Sequence, residues 1–300
     1  MKCKICGEKG IIKFKAHNIS LCEKCLLDFI KRRVKRTINR FSLIKKGERA
    51  LVAVSGGKDS LSVWDILLEL GYHADGVYID LGIDGYSERS KEKALSFARE
   101  KGAELFIEEV RAYFDGLGIP DLSRRTSRPP CSLCGMIKRY IMNKVAFEKN
   151  YDVLVTGHNL DDETSSLLSN ILDWREGYID RQSPLLPEVG KKLVRKVKPL
   201  ALCTEREIAS YAIVKGIDYI REECPLSHDS TFLFYKHILN EIEERSPGTK
   251  LRFYQGFLEA KKNFVRKEVE LRECEECGFL STASVCNFCR FRNTLRARAL

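Results

Sequence analysis

The sequence predicts an α/β protein: a parallel sheet covered by helices on both faces, with a small cysteine-rich module at each end. Three observations lead there. Through residues 49–225, short apolar runs alternate with stretches of helical periodicity, the pattern of strands joined by crossover helices. A glycine-rich turn, Ser55-Gly56-Gly57, follows the first apolar run and opens a helix. Ten of the twelve cysteines stand as CxxC pairs, and two of those pairs lie near each terminus. At roughly 100–200 residues per domain, 300 residues allow one large domain with small additions, or two domains. The chain divides into an N-terminal module over 1–29, a basic linker helix over 30–48, the α/β domain with a helical C-terminal part over 49–265, and a C-terminal module over 266–300.

The first module carries CKIC at 3–6 and CEKC at 22–25, with fifteen residues between the pairs. Each CxxC turn points two sulfurs at one ion. Cys3, Cys6, Cys22 and Cys25 together make the tetrahedral thiolate shell that zinc prefers, whereas buried reduced thiols explain two such pairs poorly. Residues 29–46 place Phe29, Ile30, Val34, Ile38 and Phe41 at helical spacing, while Lys31, Arg32, Arg33, Lys35, Arg36 and Arg40 cover the rest. Beside a zinc knuckle, this basic helix is expected to contact an RNA backbone. Strands are expected at 50–54, 74–79, 105–107, 151–156 and 194–198. Helices are expected at 60–70, 87–101, 136–149, 161–172 and 204–215. Residues 111–130, with Pro120, Pro129, Pro130, Arg124, Arg125 and Arg128, read as irregular, and 228–263 as helical. The last module, Cys274, Cys277, Cys286 and Cys289, has eight residues between its pairs and is again expected to hold zinc; Arg290, Arg292, Arg296 and Arg298 follow it.

Lys and Arg number 52 against 42 Asp and Glu, a net +10 that suggests a polyanionic partner. A hydrophobic content of 44% and a mean hydropathy of −0.27 describe a globular chain, not a disordered tail or a membrane protein. No apolar run approaches the ~18 residues of a membrane span. The start, Met1 to Cys6, lacks the apolar stretch of a signal peptide, so a cytoplasmic location is expected. There, paired cysteines point to metal rather than to disulfides. Only two glutamines, Gln182 and Gln255, accompany abundant Lys, Arg and Glu, which leans towards a thermophilic source.

The sharpest motif is Ser55-Gly56-Gly57-Lys58-Asp59-Ser60, directly after an apolar strand. Two glycines let the backbone turn tightly and approach a ligand. Free N–H groups at the helix start, with the Ser55 and Ser60 hydroxyls, suit a phosphate; Lys58 neutralises it, and Asp59 caps the helix or helps hold magnesium. The spacing is not that of Walker A. It resembles the SGGxDS pattern of the PP-loop ATP pyrophosphatases, which cut ATP between its α- and β-phosphates. Strand ends on one sheet edge form one crevice. Ala53 and Val54 are therefore expected to meet the nucleotide, Ile79 to pack against adenine, and Asp80 to approach the ribose. At the fourth strand end, Gly157 permits close backbone approach, and the adjacent carboxylates Asp161 and Asp162 suit magnesium or acid–base work. His158 is as readily a packing residue.

Pro130-Cys131-Ser132-Leu133-Cys134-Gly135 precedes the helix carrying Lys138 and Arg139, and Cys224 stands far downstream. Three thiolates leave one metal position open. An iron–sulfur cluster with one exposed iron, redox thiols, and zinc with Cys203 as fourth ligand all answer to this set.

SGGKDS, PCSLCG, GHNLDDE and the lone Cys224, framed by two four-cysteine modules, resemble the tRNA 2-thiolation enzymes over nearly the whole chain. The resemblance implies a five-stranded PP-loop core, ATP with Mg2+, a [4Fe-4S] cluster on Cys131, Cys134 and Cys224, and a homodimer. It implies adenylation of the C2 oxygen of a uridine in tRNA and its replacement by sulfur. It also implies a ubiquitin-like sulfur carrier with a C-terminal thiocarboxylate. Lys58 and Lys138 would offset phosphate charge, and Asp161 or Asp162 would hold magnesium or handle protons. CSLCGMIKRY and the terminal modules look most like the branch acting on 5-methyluridine 54, with wobble uridine 34 as the alternative. A zinc-dependent RNA-binding protein without catalysis is the reading from a different class.

Overall fold

The computed structural model describes residues 1–190, 192–227, 231–261 and 271–299. A hairpin of β1 (Ile12–Phe14) and β2 (Ile19–Leu21) opens the chain and leads into α1 (Glu23–Phe41). This helix starts inside the second CxxC turn, at Cys22, so module and linker helix are continuous rather than divided at residue 29. Its stripe of Leu26, Ile30, Val34 and Ile38, spaced four apart, is buried.

The α/β core then runs β3 (Arg49–Val54), α2 (Lys58–Glu69), β4 (His73–Asp80), α3 (Tyr86–Lys101) and β5 (Leu105–Glu109). The segment expected to be irregular forms α4 (Val110–Tyr113) and α5 (Ile119–Thr126), followed by α6 (Pro130–Glu148). Thus α6 begins six residues before the expected 136, because a proline at the first helical position is favourable rather than disruptive. Next come β6 (Val153–Thr156), α7 (Leu160–Leu172), α8 (Glu176–Arg181), β7 (Leu185–Leu186), β8 (Arg195–Val197) and α9 (Glu205–Lys215). The expected helical stretch 228–263 is two helices, α10 (Thr231–Arg245) and α11 (Thr249–Ala260), broken at Ser246-Pro247-Gly248. Its residues 228–230 and 262–263, and the expected 265/266 boundary, lie outside the described residues. Beyond it, β9 (Arg272–Glu273), β10 (Leu280–Ser281) and α12 (Asn287–Ala299) form the C-terminal module.

The central sheet has the order β5-β4-β3-β6-β8-β7. Five strands are parallel, as expected, and β7 adds a short antiparallel edge too brief to leave a sequence pattern. From β3 the chain winds outwards through β4 and β5, then returns to β6 on the other side. The crevice at the C-terminal ends of β3 and β6 is therefore the switch point where such sheets bind ligands. Helices pack on both faces, with Trp64 of α2 buried against Phe97 and donating to the Ala74 carbonyl at 2.9 Å.

Both terminal modules dock on this core. Phe288 of α12 stacks on Tyr140 of α6, with centroids 3.7 Å apart and planes 7° from parallel. His17 pairs with buried Glu207 of α9 at 2.7 Å. Arg33, expected on the RNA-facing surface of α1, instead points inwards to Glu207 and the Leu202 carbonyl, while Arg32, Lys35, Arg36 and Arg40 remain exposed.

Candidate active site

The turn after β3 places the start of α2 at the crevice. Gly56 takes φ +75°, and a Cβ there would lie 2.3 Å from the Ser90 carbonyl oxygen, so only glycine fits. Ser60 holds the turn together: its hydroxyl donates to the Gly57 carbonyl (3.0 Å) and accepts from the Ser55 N–H (3.1 Å). Gly57 caps α2 without a side-chain acceptor, which leaves the first amides open to an anion. Lys58 is held by Glu205 at 2.6 Å and Asp59 at 3.1 Å. Burial works against its charge, and the two carboxylates outweigh that and raise its pKa.

A cavity of about 640 Å³ opens beside this turn. Ala53, Val54, Ser55, Asp59, Ser60, Ile79, Gly157 and Asp162 line it. Gly157 acts differently from expectation: a Cβ there would stand 2.9 Å from the Ser60 N–H nitrogen, so its absence lets the β6–α7 turn close onto the phosphate loop itself. Asp80 is turned to Lys91 (2.9 Å) and the Gly82 N–H (2.9 Å), away from the ribose role expected of it. His158 lines the cavity with Nδ1 2.9 Å from the Thr156 hydroxyl. Burial and the neighbouring Lys198 lower its pKa and favour the neutral ring.

The two adjacent carboxylates part company. Asp162 lines the cavity and closes a capping box with Asn159, each side chain accepting the other's N–H at 3.1 Å. Asp161 is 4% exposed, accepts from the Glu205 N–H at 2.8 Å and pairs with Lys250 at 2.5 Å. One helical step separates them by about 100°, so only one can face the crevice. Asn159 also donates to Asp59 at 3.1 Å, tying α7 to α2.

The opposite wall comes from α6. Because the helix starts at Pro130, Cys131, Cys134, Lys138 and Met142 fall on one face and all line the cavity. Cys224 and Leu226 approach from the segment after α9, with the Cys131 thiol 3.6 Å from the Leu226 carbonyl. Burial raises the Cys131 pKa, Cys134 and Cys224 add to it, and Lys138 opposes them. The three thiols thus share one cavity with the phosphate loop. Cys203 does not join them. It is buried below Arg33 in the core, where burial pushes its thiol up to about 12.

Sulfurs of Cys3, Cys6, Cys22 and Cys25 lie within 4.8 Å of one another, as do those of Cys274, Cys277, Cys286 and Cys289. Backbone N–H groups at Cys6 bring Cys3 down to about 6. The Cys286 N–H, 3.2 Å from the Cys274 sulfur, helps bring that thiol to about 6 despite burial. Both quartets are suited to metal.

Three residues at the site carry no sequence signal of their own: Glu205, Lys236 and Lys250. Only Glu205 was indirectly marked, by the Thr204-x-x-Glu207 capping box that opens α9.

Residues 27–231 match the family model described as a PP-loop domain, which defines the class: an ATP-using enzyme whose phosphate loop follows the first core strand. The chain is 46% identical over 299 residues to the tRNA-5-methyluridine(54) 2-sulfurtransferase of Thermotoga maritima, covering 99% of this chain and 98% of that one. It is 47% identical over 293 residues to the enzyme of the same name from Pyrococcus horikoshii, covering 97% and 93%. The solved U34-tRNA thiolase NcsA from Methanococcus maripaludis, determined with its [4Fe-4S] cluster, superposes with a TM-score of 0.84 at 28% identity, covering 98% and 96%. The chain belongs to the PP-loop family of tRNA 2-sulfurtransferases. Among the described residues, no helix is long and apolar enough to cross a membrane.

Proposed function

We propose that this protein is an ATP-dependent tRNA sulfurtransferase that replaces the 2-oxygen of a uridine, 5-methyluridine 54, by sulfur. The observation that carries the reading is the sharing of one cavity by the phosphate loop and the three thiols of Cys131, Cys134 and Cys224. Higher identity to the 5-methyluridine(54) enzymes than to the U34 thiolase favours position 54 over 34.

The thiol set fits a [4Fe-4S] cluster, because three ligands leave one iron open, and such a cluster supplies a site that holds sulfide as a nucleophile. The chain's own residues do the rest. Amides of the 56–58 turn and Lys58 bind the polyphosphate. Ala53, Val54 and Ile79 seat the nucleoside. The uracil 2-oxygen attacks the α-phosphorus and pyrophosphate leaves; sulfur then attacks C2 and AMP departs with the oxygen. Lys138, on the thiol wall, offsets charge on the phosphates. Asp162 and Asp59 line the cavity with the oxygen donors magnesium requires, whereas Asp161, buried against Lys250 and absent from the cavity wall, is read as a positioning residue. The sulfur source is taken to be a ubiquitin-like carrier with a thiocarboxylate end, which rests on the family resemblance.

Zinc fits the terminal quartets. Zn–S bonds of about 2.3 Å set tetrahedral sulfurs about 3.8 Å apart. Cys6 and Cys22 stand at 3.5 Å, and Cys277 and Cys286 at 3.8 Å. The exposed basic groups of α1 and the net +10 favour a tRNA surface beside the first quartet.

The test is nucleoside mass spectrometry of tRNA incubated with the anaerobic holoenzyme, ATP and sulfide. Wild type should yield 2-thio-5-methyluridine, and Cys224→Ser should lose thiolation while still binding ATP. Retained thiolation in Cys224→Ser would remove that thiol from the reaction, and a thiolated wobble uridine instead would move the target to position 34.

A further inference from the structure

One carboxylate at the edge of the nucleotide cavity holds two ammonium groups. Glu205, in the first turn of α9, places Oε1 2.6 Å from Lys58 and Oε2 2.8 Å from Lys236. Lys236 also lies 3.0 Å from Asp162 Oδ1, and Lys58 lies 3.1 Å from Asp59. Asp59 and Asp162 line the nucleotide cavity; Lys58 and Glu205 line a second, polar cleft behind the phosphate loop. The ring of charges therefore stands at the polyphosphate end of the first cavity. Lys236 is carried by α10, and Phe232, one turn earlier on the same helix, reaches that cavity.

Two ammonium groups held side by side repel one another unless an anion lies between them. Here Glu205 supplies that anion. A triphosphate brings several negative charges to the same place, and a divalent cation that prefers the carboxylates. Every contact in the ring then has a better partner available. Lysine to phosphate replaces lysine to carboxylate, and carboxylate to metal replaces carboxylate to lysine.

Resting on the nucleotide-site reading above, we infer that Lys236 is a further polyphosphate-binding lysine, on the Lys58 side of the site and opposite Lys138. Asp162 and Glu205 hold it in waiting, and on nucleotide entry it transfers to the β- and γ-phosphates beside Lys58. It thereby binds the part of ATP that leaves as pyrophosphate, and it ties the position of α10 to nucleotide occupancy. No residue of the phosphate loop motif provides this further cation, because Lys58 is the motif's one basic residue.

The experiment is calorimetric titration of the full-length holoenzyme with Mg2+ and, separately, α,β-methylene ATP, pyrophosphate and AMP. Losing one charge-assisted contact, Lys236→Met should weaken the ATP analogue and pyrophosphate at least about tenfold, with AMP changed less than about twofold. Lys236→Arg should recover most of the loss. Equal weakening of AMP and the analogue, or no weakening of either, would overturn the assignment, since a merely structural lysine does not distinguish β- and γ-phosphates. A wild-type protein that binds none of the three ligands would refute the nucleotide site instead.

Discussion

Replacing Lys250 with methionine strands a buried carboxylate. Asp161 and Lys250 are 4% and 3% exposed, and their charged groups meet at 2.5 Å. The same ammonium also donates to the Asn240 side-chain oxygen. Methionine keeps most of the side-chain volume but removes the positive charge, so Asp161 keeps the Glu205 N–H at 2.8 Å as its side-chain partner. Breaking a buried pair by deleting one member costs about 3–5 kcal/mol. The surviving amide places Lys250→Met near the lower end, about 3 kcal/mol. At about 2 °C per kcal/mol for a chain of this size, the melting midpoint falls by about 6 °C. The double variant Asp161→Leu with Lys250→Met removes both charges and should recover at least about half of the loss, because an apolar pair of similar volume replaces a buried ion pair almost neutrally. Urea unfolding at neutral pH, supported by calorimetry, reads both values. A single-variant loss below about 1 kcal/mol, or a double variant as unstable as the single, would refute the argument that this pair is a closed internal contact.

Three further outcomes follow from the same geometry. Gly56→Ala forces a Cβ to 2.3 Å from the Ser90 carbonyl at φ +75°; strain of about 1–3 kcal/mol should appear, with nucleotide affinity down at least about tenfold, and unchanged calorimetric affinity would show the turn to be irrelevant to binding. Burial would raise the pKa of Glu205, but Lys236 and Lys58 outweigh it and hold it at about 2 against the ordinary 4.5. Its contribution to stability is therefore full above about 4.5 and lost as pH falls towards about 2. Urea curves of wild type and Glu205→Gln should differ at neutral pH and converge in acid, and a constant difference would contradict the depressed carboxyl. Cys286→Ser should lower zinc by one ion per chain in elemental analysis and loosen the packing of Phe288 on Tyr140, seen as a lower melting midpoint; unchanged metal content would exclude this quartet as a zinc site.

The parts of the site that were readable in the sequence are local. Ser55 to Ser60 announce themselves because strand, glycine turn and helix are consecutive, and one short segment makes the whole loop. The CxxC quartets are readable for the same reason: each turn presents two ligands by itself. Where the reading strayed, distant contacts decided. Pro129 and Pro130 fell in a stretch read as irregular, yet Pro130 sits at the first helical position, and this early start sets Cys131, Cys134 and Lys138 on one face. Arg33 looked like a surface cation, yet Glu207 and the Leu202 carbonyl draw it inwards.

Sequence alone, then, determined the class of fold, the phosphate loop and the CxxC pairs of the terminal modules, because each depends on residues a few positions apart, whereas Cys224, far downstream of Cys131 and Cys134, was joined to them only by the family resemblance. Tertiary structure decided which of Asp161 and Asp162 meets the cavity, that Cys203 is a core residue, and that Glu205 and Lys236 stand beside Lys58. Those outcomes depend on how α9, α10 and α11 pack against α2 and α7. Adjacent residues on a helix point about 100° apart, and nothing in their own sequence says which direction the neighbouring helices will cover.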